Sequence, residues 1–167
     1  VQNSADGVII LDTHRKILMF NPAMERMTGW RASDVMGRSE EEIIAWSVVE
    51  PSSLQDAMQD GWPQQPVDAD APEPLYVEGD IVRLDGLTLS IAITYAPLYA
   101  TDGRLVNVIG NIRDITNFRR AQEMQNVFIS GISHELKTPV ALIKGYAGTL
   151  RREDATWDPK DIRNGLG

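Results

Sequence analysis

The sequence contains no cysteine. Disulfides, thiolate metal sites and light-driven cysteine adducts are therefore excluded. Histidine is nearly as scarce, with 2 in 167 residues, so any imidazole chemistry rests on His14 or His134. No apolar run approaches the ~20 residues of a membrane span, and the start carries no signal-peptide pattern. Basic residues are outnumbered, 16 Lys and Arg against 24 Asp and Glu, giving a formal net charge of −8. A nucleic-acid backbone needs a basic surface, so no nucleic-acid partner is expected. An initiating methionine is missing, and Asn164-Gly165-Leu166-Gly167 ends the chain without terminal structure. The expectation is an internal, cytoplasmic fragment of a longer protein, with any membrane anchor of the parent outside it. What is present is a hydrophobic fraction of 43%, enough for a real core.

Two β-rich runs open the chain, Gly7-Val8-Ile9-Ile10-Leu11-Asp12 and Lys16-Ile17-Leu18-Met19-Phe20. The short polar link Thr13-His14-Arg15 predicts a hairpin. Asn21 then suits a helix cap, Pro22 the first helical position and Gly29 the stop. A second short helix is expected around Ser33 to Met36, ended by Gly37. Residues 40–60 read as mostly helical, broken at Pro51, and 61–74 as a Pro/Asp/Gln-rich loop. Three strand-like segments follow: Tyr76 to Leu84 with a bulge near Gly79, Leu87 to Tyr95, and Arg104 to Ile115. In the middle one, Leu87, Leu89, Ile91, Ile93 and Tyr95 alternate with Thr88, Ser90, Ala92 and Thr94. Two strands, several short helices and three strands imply an α+β fold, a five-stranded antiparallel sheet with helices on one face.

Residues 1–116 resemble a PAS sensor domain. The resemblance rests on Gly7 to Asp12, on Phe20-Asn21-Pro22-Ala23 leading into the first helix, on Gly29 and Gly37, and on the closing Asp114-Ile115-Thr116. It implies a ligand-sensing module in which Asp114 and Thr116 mark the signal exit. His14 lies in the hairpin turn and reads as a surface residue, not a haem ligand. Trp46, Met58 and Trp62 either line a ligand pocket or belong to the core. No metal site and no nameable cofactor are expected in the fragment, and the identity of any PAS ligand stays open.

After Thr116 the pattern turns helical. From Asn117 to Arg152 there is one proline, Pro139, over a length of about 54 Å if helical throughout. Ile129, Ile132, Leu136, Val140, Ile143, Ala147 and Leu150 form one apolar stripe. Phe118, Ala121, Met124 and Phe128 form another that meets it out of phase, as at a stutter between a coiled-coil linker (117–127) and a bundle helix. A return helix is expected to start at Asp158-Pro159, with Asp161 in a capping box and Trp157 and Ile162 as a staple. It is too short to cover the stripe. The third segment, 128–167, is thus expected to be a truncated helical hairpin that needs a second copy of the chain.

His134 lies about 200° around the helix from both Ile132 and Leu136, away from the stripe. Its neighbours Ser130, Gly131, Lys137 and Thr138 are small or polar. Gly131 weakens the helix and suggests close approach or flexibility, and Pro139 should distort it one turn beyond His134. On spacing alone His134 is an exposed surface histidine. The run Phe128-Ile129-Ser130-Gly131-Ile132-Ser133-His134-Glu135-Leu136-Lys137-Thr138-Pro139, however, closely resembles the phosphoacceptor box of sensor histidine kinases of two-component systems. Only Gly131 departs, where that family often carries asparagine.

The resemblance implies that His134 accepts the γ-phosphoryl of ATP and passes it to an aspartate on a response-regulator receiver domain. It implies that Glu135 is the acid/base partner and that Thr138 helps place a water for regulator dephosphorylation. Lys137 is assigned to docking and Pro139 to helix distortion. No nucleotide-binding segment follows, so the fragment alone is expected to be inactive, with ATP, magnesium and the ATP-binding domain supplied by the parent kinase. The expected assembly is a homodimer. The alternative is a PAS ligand-binding module whose helix only dimerises and whose His134 is inert. An enzyme in the PAS cavity finds no clustered catalytic residues to support it.

Overall fold

The computed structural model describes residues 6–63 and 73–150. They fall in two compact units, 1–120 and 121–167. The first is a six-stranded antiparallel sheet in the order β2-β1-β6-β5-β4-β3, with four short helices on one face. The elements are β1 (Gly7–Asp12), β2 (Ile17–Phe20), α1 (Pro22–Thr28), α2 (Ala32–Val35), α3 (Glu40–Ile43) and β3 (Trp46–Glu50). They continue through α4 (Leu54–Gln59), β4 (Leu75–Val82), β5 (Thr88–Tyr99), β6 (Leu105–Asp114) and α5 (Thr116–Leu150).

The period-2 pattern of β5 sets the core. Leu89, Ile91, Ile93 and Tyr95 are buried, joined by Ile9 and Leu11 of β1, Val77 and Ile81 of β4 and Val108 and Ile112 of β6. Met24, Val35, Ile43, Ile44 and Leu54 cover them from the helical side. Each such side chain contributes roughly 1.5–3 kcal/mol by leaving water. Leu87, the first residue of the expected alternation, lies before β5 and is exposed. Trp46, Met58 and Trp62 are partly buried and pack against this core.

Asn21 caps α1 as expected, its Oδ1 accepting the Met24 N–H at 3.0 Å. The same oxygen accepts the Val8 N–H at 3.0 Å, while the Asn21 N–H donates to the Val8 carbonyl at 3.1 Å. The side chain thus supplies one more rung to the β1–β2 ladder and turns the chain into the helix. Gly29 ends α1 with φ of 82°, a left-handed conformation that favours glycine.

Two expectations need correction. Trp46–Glu50 is a strand, not helix, and it raises the sheet from five strands to six. As an edge strand it leaves Val48 exposed, so its pattern lacks the alternation that marks a half-buried strand. Nor is there a bulge in β4 at Gly79: the β4–β5 register runs without a shift from Leu75 to Val82. The irregularity lies in β3, between Trp46 and Val48. Gly79 is glycine because β3 passes so close that a Cβ would collide with the Val48 carbonyl oxygen.

α5 is one helix of 35 residues, about 52 Å long. Pro139 sits inside it without ending it, so the lost N–H removes one backbone bond while the helix continues on either side. The return helix expected from Asp158 lies outside the described residues, as does 64–72 of the expected loop.

Candidate functional site

Three residues singled out from the sequence share one side of α5. With His134 at zero, Thr138 lies about 40° away, Gly131 about 60° and Glu135 about 100°. The apolar stripe of Ile129, Ile132, Leu136, Val140, Ile143 and Leu150 spans about 160–240°, the opposite side. Thr138 is the i+4 neighbour of His134 and the i+3 neighbour of Glu135, so it stands between them. Glu135 precedes Thr138 by one turn, and no described side chain covers any of the three; all are exposed. Helical side chains lean toward the N-terminus, so the His134 ring overhangs the turn of Ser130 and Gly131. A Cβ on Gly131 would meet nothing within 4 Å. Among the described residues the glycine reflects no close approach, and it adds no side chain to the surface before the imidazole.

Among the described residues, nothing covers the stripe. Ile132 is 41% exposed and Ile143 67%, and no residue of α5 is buried. An isolated helix seldom holds such a face in water. Imidazole and stripe face opposite ways, so covering one leaves the other open.

In the sheet domain, the structure places the expected exit residues at the β6–α5 junction. The Asp114 carboxylate accepts the Thr116 N–H at 2.9 Å, which turns the chain into the helix. Thr116 Oγ1 accepts the Ser90 N–H at 3.1 Å, and the Ile115 N–H donates to the Ser90 carbonyl at 2.9 Å. The start of α5 is therefore tied to β5. His14 is exposed in the hairpin turn, its backbone N–H donating to Asp12 Oδ1 at 2.8 Å.

One polar group in the core has no forewarning in the sequence. Glu40 is 3% exposed and accepts the Tyr95 hydroxyl at 2.7 Å. The Arg15 guanidinium stands 3.9 Å from its other oxygen and 3.2 Å from Glu41. Burial raises the Glu40 carboxyl above its ordinary range, opposed by the Tyr95 hydrogen bond and the Arg15 charge. Burial and the nearby Glu40 carboxyl push the Tyr95 phenol well up, so tyrosine stays the donor. The run Glu40-Glu41-Glu42 gives no signal for which carboxylate turns inward. Metal-binding clusters of three or more His, Asp or Glu are absent among the described residues, and no described helix is long and apolar enough to cross a membrane.

Comparison with known proteins places both units. A family model described as the PAS fold matches residues 1–115, and one described as the His Kinase A (phospho-acceptor) domain matches residues 124–164. The chain is 23% identical over 168 residues to the signal transduction histidine-protein kinase AtoS of Escherichia coli (strain K12), covering 95% of this chain and 25% of that protein. It is 22% identical over 162 residues to the sensor protein kinase WalK of Staphylococcus aureus, covering 97% of this chain and 34% of that one. The chain thus spans a quarter to a third of the length of these curated relatives. Among solved structures, an RNA-binding light-oxygen-voltage receptor superposes with a TM-score of 0.59 at 21% identity, over 80% of this chain and 36% of that one. The LOV domain of the Erythrobacter litoralis EL346 blue-light activated histidine kinase superposes at 0.52 and 20% identity, over 68% and 98%. At that identity these two structures speak for the fold of the sheet domain and nothing further.

Proposed function

The chain belongs to the PAS-fold family and runs on into the phosphoacceptor domain of sensor histidine kinases, and we propose that its PAS domain controls phosphorylation of His134. One observation carries this reading: His134, Glu135 and Thr138 share an uncovered sector of α5, opposite a bare apolar stripe. A second copy of the chain laid on the stripe would leave the imidazole open to a nucleotide-binding domain, then to a receiver domain.

In the proposed step a neutral ring nitrogen of His134 attacks the γ-phosphorus of ATP. A nitrogen–phosphorus bond forms as the bond to the ADP oxygen breaks, and the displaced ring proton passes to Glu135 acting as base. The phosphoryl group then moves to a receiver aspartate, restoring the imidazole. Thr138, the i+4 neighbour of His134, would hold a water when the regulator is dephosphorylated. ATP and magnesium would be held by a separate nucleotide-binding domain, where magnesium would offset the charge of the transferred group. The proposed domain limits are 1–116 for the sensor, 117–127 for the signalling linker and 128–167 for the phosphoacceptor segment.

The test incubates the chain with a purified ATP-binding domain of a sensor kinase and γ-labelled ATP. Acid-labile, base-stable label is expected on the wild type and none on His134→Gln. Label that persists in the variant refutes the assignment. The helix signal in circular dichroism, expected unchanged because residue 134 is exposed, guards against misfolding.

A further inference from the structure

Among the described residues, three ion pairs join near neighbours, Arg38 with Glu42, Arg83 with Asp85 and Arg104 with Asp102, while Arg15 and Arg113 pair with carboxylates of the same β-sheet unit further along the chain. Arg119 does something else. From the first turn of α5 it reaches back to β4, with Nη2 3.1 Å from Glu78 Oε1 and Nη1 3.4 Å from Asp80 Oδ1. The three side chains are about a quarter to a third exposed, at 25%, 35% and 30%, so water screens the pair only in part.

Asp80 is the better clue. It is paired with Val48 of β3 on one side and Ser90 of β5 on the other. Its carbonyl accepts the Ser47 hydroxyl of β3 at 3.0 Å. Its carboxylate oxygen accepts the Ser90 hydroxyl of β5 at 2.6 Å and the Arg119 guanidinium of α5 at 3.4 Å. Ser90 in turn exchanges bonds with Ile115 and Thr116 at the helix start. Glu78, the second partner of Arg119, is held by the Tyr76 hydroxyl at 2.9 Å. Three strands and the outgoing helix therefore meet at one residue, β3 at its carbonyl and β5 and α5 at its carboxylate.

We infer that the Asp80–Arg119 pair, seated on Ser90, is the joint through which the sheet fixes the start of α5. The backbone bonds of Ile115 and Thr116 fix where the helix begins. The guanidinium, one turn further on, holds that first turn, because a rigid two-point fork resists its rotation about the helix axis. β3 is the edge strand whose Trp46 and Val49 pack against the core. A rearrangement of that core reaches Asp80 through Ser47 and reaches α5 through Arg119. In these terms Arg119 and Asp80 are positioning residues, and their role as a relay rests on the phosphoacceptor reading of His134.

The joint is tested by amide hydrogen exchange in the full chain carrying Arg119→Gln, Asp80→Asn, both together, or Arg119→Lys. Asp80→Asn keeps an acceptor for Ser90 while losing the charge. Each single variant should speed exchange of the α5 amides from Arg119 to Glu123 by about fivefold. The double variant should exchange no faster than Arg119→Gln alone, and Arg119→Lys, which keeps the charge without the two-point fork, should recover only part of the protection. Arg38→Gln, which breaks a pair remote from α5, should leave these amides unchanged. Unchanged exchange in Arg119→Gln, or single effects that simply add in the double variant, overturns the joint. The relay is read separately from the labelling rate of His134 with an added ATP-binding domain, expected to differ at least about twofold in Arg119→Gln. A wild-type rate alongside faster exchange overturns the relay and leaves the joint. Absence of label on the wild type overturns the kinase reading itself, and the exchange data still decide the joint.

Discussion

Replacing Asn21 by alanine separates two jobs that one oxygen performs. Asn21 Oδ1 accepts the Met24 N–H that begins α1 and the Val8 N–H of β1, both at 3.0 Å. Losing a helix cap costs about 1 kcal/mol. Stranding the half-buried Val8 N–H adds roughly 1–2 kcal/mol, because a donor inside the β1–α1 junction has little access to water. The sum, about 2–3 kcal/mol, is a large share of the ~5–15 kcal/mol that holds an ordinary domain together. It corresponds to a fall in Tm of about 8–12 °C. Asn21→Asp keeps the accepting oxygen and gives up the amide bond to the Asp6 carbonyl, 3.3 Å long. Its negative charge at a helix start is favourable, so its cost should stay below ~1 kcal/mol. Urea titration followed by tryptophan fluorescence reads the sheet domain, which holds Trp30, Trp46 and Trp62. An aspartate variant as damaged as the alanine variant, or an alanine variant within about 0.5 kcal/mol of wild type, would refute the shared-oxygen account.

Glu40 gives the domain a pH dependence of known sign. Burial raises its carboxyl above 4.5, its ordinary value, so the native state binds more protons than the unfolded chain. That contribution is complete below the ordinary value and is lost as pH rises through the native one. Glu40→Gln still accepts the Tyr95 hydroxyl and cannot ionise, so its stability should decline less than wild type as pH rises above 4.5. Equal declines in denaturant titrations of both proteins would exclude the effect. At Gly79 an added methyl meets backbone atoms of Val48 and Val49, the latter at 2.9 Å. Gly79→Ala should therefore cost about 1–3 kcal/mol and loosen β3, seen as faster amide exchange over Trp46–Glu50. Wild-type protection of that strand would show that β3 yields without cost.

Much of the architecture is legible in the order of the residues. Asn21, Pro22 and Gly29 bracket α1 because each residue type meets a local backbone requirement that neighbours do not alter. The alternation through Leu89, Ile91, Ile93 and Tyr95 survives because each step of a strand turns the side chain to the other face. β3 reads as helix for the opposite reason: it exists by pairing with β4 at Gly79, and its own five residues carry no clear period. The bulge expected at Gly79 fails likewise, since a glycine signals a close approach without saying which strand makes it. The capping box formed by Ser53 and Asp56 at the start of α4 follows a local spacing rule and is open to a sequence reading.

The site divides along the same line. The sequence by itself determined the order of the two units and the helical phase that puts His134, Glu135 and Thr138 opposite the apolar stripe. A helix of fixed pitch turns residue spacing directly into angle, with no help from tertiary contacts. Only the tertiary structure decided that Glu40, out of three consecutive glutamates, turns inward to Tyr95. It alone decided that Arg119 reaches Glu78 and Asp80, some 40 positions back in the chain. Such pairs depend on which strands become neighbours, and that is set by how the whole sheet closes over its core, not by any spacing along the chain.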